Sequence, residues 1–332
     1  MSTDKAFTFL PLGAIIQAFR VDGKNIVQGF PTAELYKAHN APYFGETIGR
    51  IANRTAHGKF ELNGQTYQLP VNNGPNSLHG GDLGWGKREF EGPLDVDRNG
   101  KQATLFKYLS KDGEEGYPGT VEVRVWYVQE KLNEDGVQKE VLHIEYEAEL
   151  VGDDTPATAV NITNHSYFNL SGASTIAGTE ATLITNKYQV VDDGGIPTGP
   201  IEEYPGVKSN TSFTLGETKP DIDDCFIVNT DPSSVPLDTR GSALQTVASF
   251  FHPESKIHLE VATTEPAFQF YTGKYIDVPA VESLPARGAR SAFCVEPSRY
   301  VNAINVPEQR SMTILKKGEK YGSKIVYRGW KA

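Results

Sequence analysis

Several short stretches place ionisable side chains beside amides and glycines instead of on a solvated charged face. In AVNITNHSYFNL, Ala159 to Leu170, a period of two puts Val160 and Ile162 on one strand face and Asn161, Thr163, His165, Tyr167 and Asn169 on the other. A strand face of amide, hydroxyl, imidazole and phenol is predicted to be a binding floor. In AFCVEPSRYVNAIN, Ala292 to Asn305, Phe293 and Val295 alternate with Cys294 and Glu296, and Pro297 is expected to end the strand. Glu296 then stands at a strand terminus with apolar residues close enough to raise its pKa, as a general base near neutral pH requires.

Four further segments offer binding groups. Arg54, in GRIANR, carries a rigid fork of donors suited to a sugar hydroxyl or a carboxylate. The turn-rich NNGPNSLHGG presents His79 before two glycines that permit close approach of backbone to ligand. DIDDCF sets Asp221 and Asp223 on one strand face and Asp224 on the other, and AFQFYTG sets Gln269 and Tyr271 opposite Phe268 and Phe270. Nucleotide loops, nucleophile elbows and zinc-protease helices are missing, since GxGxxG after a strand, GxxxxGK[ST], GxSxG and HExxH do not occur. The histidines are too scattered to reveal a metal site.

The elements that must carry these groups are strands. In VEVRVWYV, Val121, Val123 and Val125 alternate with Glu122 and Arg124; in HIEYEAEL, Ile144, Tyr146, Ala148 and Leu150 alternate with glutamates. KIHLEVA and KIVY repeat the pattern, with Asn63-Gly64, Asp112-Gly113 and Asp135-Gly136 as turn signals. The best helix candidate is short, PTAELYKAH from Pro31. With 32 glycines and 20 prolines in 332 residues, and no linker or repeat, residues 1–332 are expected to form one all-β domain of two large stacked antiparallel sheets.

A net charge of −10 would repel a phosphate backbone, so nucleic acid is excluded as a partner, and no apolar stretch is long enough for a membrane span. Two cysteines, Cys225 and Cys294, are too few for a disulfide scaffold, though one pairing stays open. The start, MSTDKAFTFLPLGAIIQAF, lacks a signal-peptide pattern, and the asparagines of four glycosylation sequons, Asn53, Asn161, Asn164 and Asn169, fall inside the proposed site. A cytosolic location is the expectation.

Taken in order, GRIANR, NNGPNSLHGG, EEGYPG (114–119), NITNHSYFNL, DIDDCF, QFYTG and FCVEPSRYVNAIN resemble the aldose 1-epimerase (galactose mutarotase) family. The resemblance implies a large antiparallel β-sandwich with a sugar cleft on one sheet. It implies His165 as general acid and Glu296 as general base, with Arg54, His79, Asp223 and Gln269 holding sugar hydroxyls and Asp224 where a histidine is common. It implies a small-molecule sugar as partner, with no metal and no cofactor, in a monomer or homodimer. Two departures stand out: Val301-Asn302-Ala303 where many members have Pro-Asp-Ala, and Gly86 before Lys87 where many carry aspartate.

On the implied mechanism Glu296 takes the C1 hydroxyl proton while protonated His165 gives one to the ring oxygen. His165 is therefore expected charged and Glu296 ionised at the start, with a bell-shaped pH profile. Two rival readings share the fold. A glycoside hydrolase needs a second carboxylate ~5 to 9.5 Å from Glu296, with Asp223 or Asp224 as candidates. A non-catalytic sugar-binding protein would keep the binding groups without acid or base.

Overall fold

Residues 5–332 are described by the computed structural model. Alternation builds its largest element, a nine-stranded antiparallel sheet whose spatial order runs Phe213–Thr214, Glu180–Leu183, Gln245–His252, Ile257–Thr263, Lys320–Lys331, Val137–Leu150, Val121–Glu134, Lys101–Ser110 and Glu91–Arg98. Val121, Val123 and Val125, with Ile144, Tyr146 and Ala148, are fully buried on its inner face. The intervening glutamates point outward, where Glu147 and Glu149 pair with Arg124, and Glu145 and Glu147 with Arg240. The two longest strands are joined by Asp135-Gly136, both with positive φ (53° and 80°), the conformation that matches the twist of a two-residue hairpin. Asn63-Gly64 makes the same turn, as does Asn99-Gly100. Asp112-Gly113 does not; it opens a longer connection containing the 3-10 turn Glu114–Gly116.

A six-stranded antiparallel sheet stacks on this one, ordered Tyr167–Phe168, Phe293–Ser298, Ala267–Tyr271, Asp223–Ile227, Lys187–Val191 and Pro197–Glu203. Phe168, Phe226, Phe268, Phe270, Phe293 and Val295 enter the shared core from its inner face. The architecture is thus the expected all-β sandwich. Ala33–His39 is the one α-helix among the described residues, with the Thr32 hydroxyl accepting the Leu35 N–H at 3.4 Å as its cap. No helix of the described residues is long and apolar enough to cross a membrane.

Two local expectations need correction. Pro297 does not end its strand, which continues to Ser298. The flank formed by Tyr167–Phe168 pairs only with Phe293 and Cys294, so at Pro297 the strand is paired on one side only and tolerates a residue without N–H. Ala159 to Leu170 is not one strand. Ala157–Ala159 pairs with Ile314–Lys316, Thr163–Asn164 with Thr47–Ile48, and Tyr167–Phe168 with Phe293–Ser298. The alternation loses phase at each change of partner. Asn161 Oδ1 accepts the Arg299 N–H (2.9 Å) and Asn169 Nδ2 donates to the Ser291 carbonyl (2.8 Å), so both serve the backbone.

Phe293 lies between the sheets, stacked on Phe250 at 4.2 Å between centroids. Phe293→Ala is expected to destabilise the protein by about 3–5 kcal/mol, read as a lowered urea midpoint with an unchanged m-value.

Candidate active site

Residues directly opposite in an antiparallel pair share a sheet face. Gln269 lies opposite Glu296, and Asp223, Tyr271, Cys294 and Tyr167 follow one another across four strands. While Phe268, Phe270, Phe293 and Val295 fill the core, these polar partners face the other way. Above them the short pair Arg54–Thr55 with Ser77–Leu78 brings in Asn53, Arg54 and His79, and residues 41–43 complete the lining, with Tyr43 packed on His79. The result is a cavity of about 470 Å³, with His165 and Tyr167 in its lining and Tyr275 exposed at its rim.

At the centre, His165 Nε2 stands 3.4 Å from Glu296 Oε2, and both side chains are 5% exposed. Burial disfavours the charged form of each and so shifts them in opposite directions. Glu296 is pushed up to about 8, mainly by burial; the Cys294 thiol, donating at 3.3 Å, and Arg54 act against the rise, while Asp223 adds to it. His165 is pushed down to about 3 by burial, with a further push from the Lys87 charge. The opposed shifts favour the neutral pair, imidazole and carboxylic acid, over the ionic one near neutral pH. The ionic pair expected at the start of the reaction holds the same one proton, moved from Glu296 to His165.

Asn53, named from the sequence only as a sequon asparagine, ties the binding groups together. It adopts φ 60°, a left-handed conformation asparagine tolerates better than most residues. Its N–H donates to His79 Nδ1 (3.2 Å), its Nδ2 to Gln269 Oε1 (3.1 Å), and its Oδ1 accepts from the Arg54 backbone (2.8 Å). Gln269 in turn donates to Asp223 Oδ1 at 2.8 Å, and Arg54 Nε to Asn73 Oδ1 at 3.1 Å. The signal in the sequence was the Asn-Arg dipeptide, of which only the charged half was chosen.

His79, His165 and Glu296 offer ligand atoms within 4.8 Å of one another, a grouping invisible in the scattered histidines of the sequence. The tautomer of His79 argues against a metal there. Because Nδ1 accepts the Asn53 N–H, the proton of the neutral ring sits on Nε2, and burial holds His79 well below the usual imidazole range. The group suits donation to a hydroxyl, not ligation.

All six singled-out residues, His165, Glu296, Arg54, His79, Asp223 and Gln269, line this one cavity. Asp224 does not; it lies opposite Phe270 on the other sheet face. Gly80 and Gly81 do not approach a ligand either: a Cβ on Gly80 would overlap the Gly49 carbonyl, and one on Gly81 the Glu115 carboxylate. EEGYPG is likewise a brace, with Glu114 accepting from Tyr108 (2.5 Å) and Glu115 from the Asp82 N–H (2.8 Å). Both cysteines are free and buried on different strands. The departure at Gly86 has a local reason, because a Cβ there would overlap Glu46 Oε2.

Residues 3–328 match the family described as aldose 1-epimerase. The bifunctional protein gal10 of Schizosaccharomyces pombe is 39% identical over 94% of this chain, and the chain spans only 42% of that relative's length. The galactose mutarotase of Sus scrofa is 37% identical over 90% of this chain and 81% of its own. A GalM/aldose epimerase homologue from C. elegans superposes with a TM-score of 0.82 at 25% identity, covering 98% of this chain and 95% of that one.

The raised pKa of Glu296 has a thermodynamic consequence. Its contribution to stability is fully present below about pH 4.5, its unfolded value, and is lost as pH rises to about 8. In sugar-free buffer, Glu296→Gln is therefore expected to gain on the wild type progressively over that interval and to keep a constant advantage above it. Thermal unfolding of both proteins across pH checks this, and a difference independent of pH would contradict the shift.

Proposed function

The chain belongs to the aldose 1-epimerase family, and on that premise we propose that it interconverts the α and β anomers of free aldohexoses such as galactose and glucose. The observation that carries the reading is the His165–Glu296 pair, 3.4 Å apart and buried, with opposed pKa shifts. Anomer exchange needs the C1 to ring-oxygen bond broken, the aldehyde rotated about C1–C2, and the ring closed on its other face. In opening, ionised Glu296 takes the C1 hydroxyl proton and protonated His165 delivers one to the ring oxygen; closure reverses both transfers. Burial makes Glu296 the stronger base and His165 the stronger acid, so both transfers run toward the neutral pair that the cleft favours. The starting ionic pair is reached by moving the one proton from Glu296 to His165.

Arg54, His79, Asp223 and Gln269 are the proposed holders of sugar hydroxyls, with Asn53 fixing three of them. Galactose as a substrate is supported by the name of the Sus scrofa relative. No oxidation occurs, so no redox cofactor is required. Glycoside hydrolysis is the poorer reading: the group paired with Glu296 is an imidazole, and Asp223 is engaged by Gln269. One domain is proposed, since groups from Arg54 to Glu296 meet on a single sugar. The sequon asparagines of the site region, Asn53, Asn161, Asn164 and Asn169, are all buried, which supports a cytosolic setting, because a glycan attached there before folding would block their packing.

The test is anomer exchange of α-D-galactose and α-D-glucose, followed by polarimetry on the purified protein. Glu296→Gln and His165→Gln are each expected to lose at least ~10²-fold in kcat with the fold retained; full activity in either variant would refute its role. The pH profile of kcat/KM is expected to fall on the alkaline side near pH 8, where the pair loses its proton, and on the acid side only toward pH 3, where it takes a second. A limb near 6.5, where an ordinary imidazole titrates, would contradict the assignment.

A further inference from the structure

Next to the cleft, but outside its lining, lies the ion pair of Glu46 and Lys87. Glu46 is 1% exposed, and its Oε1 accepts from Asn40 Nδ2 (2.7 Å) and from the Lys87 ammonium. Lys87 also donates to the Asn40 carbonyl at 2.7 Å and sits 4.8 Å above the centre of the Tyr43 ring. Tyr43 has φ 68°, rare for a bulky residue, so its surroundings must hold it there. Its ring packs edge-on to His79 at 4.8 Å and lies 5.6 Å from His165. The same loop grips His165 through its backbone: the Glu46 carbonyl accepts the His165 N–H (2.9 Å), and the Gly45 N–H donates to the His165 carbonyl (3.0 Å).

We propose that Glu46 and Lys87 are positioning residues for the acid–base pair: their ion pair clamps the loop from Asn40 to Glu46, so that Tyr43 covers His79 and His165 and the loop backbone fixes the imidazole. The proposal rests on the reading of the cleft as an anomer-exchange site. A neutral side chain in place of Lys87 would leave Glu46 buried without its cation, free the Asn40 carbonyl and remove the charge that holds the Tyr43 face. The Lys87 ammonium also bears on the charge of His165, whose other neighbours are neutral His79, the rings of Tyr43 and Tyr167, and Glu296. The Glu46 carboxyl is pushed up by burial, and its partner Lys87 acts against the rise. Its Oε2 has no hydrogen-bond partner and fills the space a side chain at Gly86 would take. The carboxylate can therefore be moved: aspartate at 86, where φ is not left-handed, would enter the volume that a shortened residue 46 vacates.

Three variants test this, read by anomer-exchange kinetics and by NMR titration of the His165 imidazole in sugar-free protein. Lys87→Met is expected to lose about ten- to hundredfold in kcat, the scale of a misplaced catalytic group, and to move the His165 titration to higher pH because a nearby cation is gone. Lys87→Arg should recover most of both. Glu46→Ala should lose activity, and Glu46→Ala with Gly86→Asp should regain it. The proposal is overturned if Lys87→Met keeps wild-type kcat with an unmoved titration, or if it loses activity with the titration unmoved and Lys87→Arg does not recover it. The titration needs no substrate, so a wild type that exchanges no anomers would defeat the proposed function while leaving this measurement able to judge the clamp.

Discussion

Removing water from two ionisable groups of opposite type makes each prefer its neutral form, and in this protein that single effect shapes the site. His165 and Glu296 are both 95% withdrawn from solvent and 3.4 Å apart, so they hold one proton between them over a wide span of pH. A carboxylate that wants a proton beside an imidazolium that wants to lose one is a matched pair for two proton transfers in opposite directions. In water neither group would have that drive at neutral pH.

The sandwich supplies the dryness. The strands Ala267–Tyr271 and Phe293–Ser298 send Phe268, Phe270, Phe293 and Val295 into the core, which fixes Gln269, Cys294 and Glu296 on the outer face. Tertiary segments then roof that face. Asn53 and His79 come from the short pair beside it, and the loop carrying Tyr43 closes over the imidazoles. A floor of paired strands under a roof of loops keeps the catalytic pair buried, while Asn53 fixes His79, Gln269 and Arg54 beside it.

What the sequence made legible followed the range of the forces involved. Alternation is local, so the face shared by Cys294 and Glu296, and that shared by Gln269 and Tyr271, could be read directly, as could the Asp135-Gly136 turn. Ala159 to Leu170 misled because three different partners reset its phase, and no local pattern encodes a partner. The glycines after His79 were expected to bring backbone close to a ligand, but Gly80 is met by the Gly49 backbone and Gly81 by the Glu115 carboxylate. Asn53, Tyr43 and the Glu46–Lys87 pair were missed because their importance lies in contacts across tens of residues. The rise of the Glu296 carboxyl was expected from its apolar neighbours, whereas the lowering of His165 was not, since burial is a property of the assembled cleft.

Infrared difference spectroscopy reads directly where the proton of the pair resides before a sugar binds. The spectrum of the wild type minus that of Glu296→Gln, in sugar-free buffer at neutral pH, should contain a protonated-carboxyl C=O stretch that disappears as pH rises past about 8. A difference spectrum showing only an ionised carboxylate at neutral pH would mean that burial does not hold the proton on Glu296.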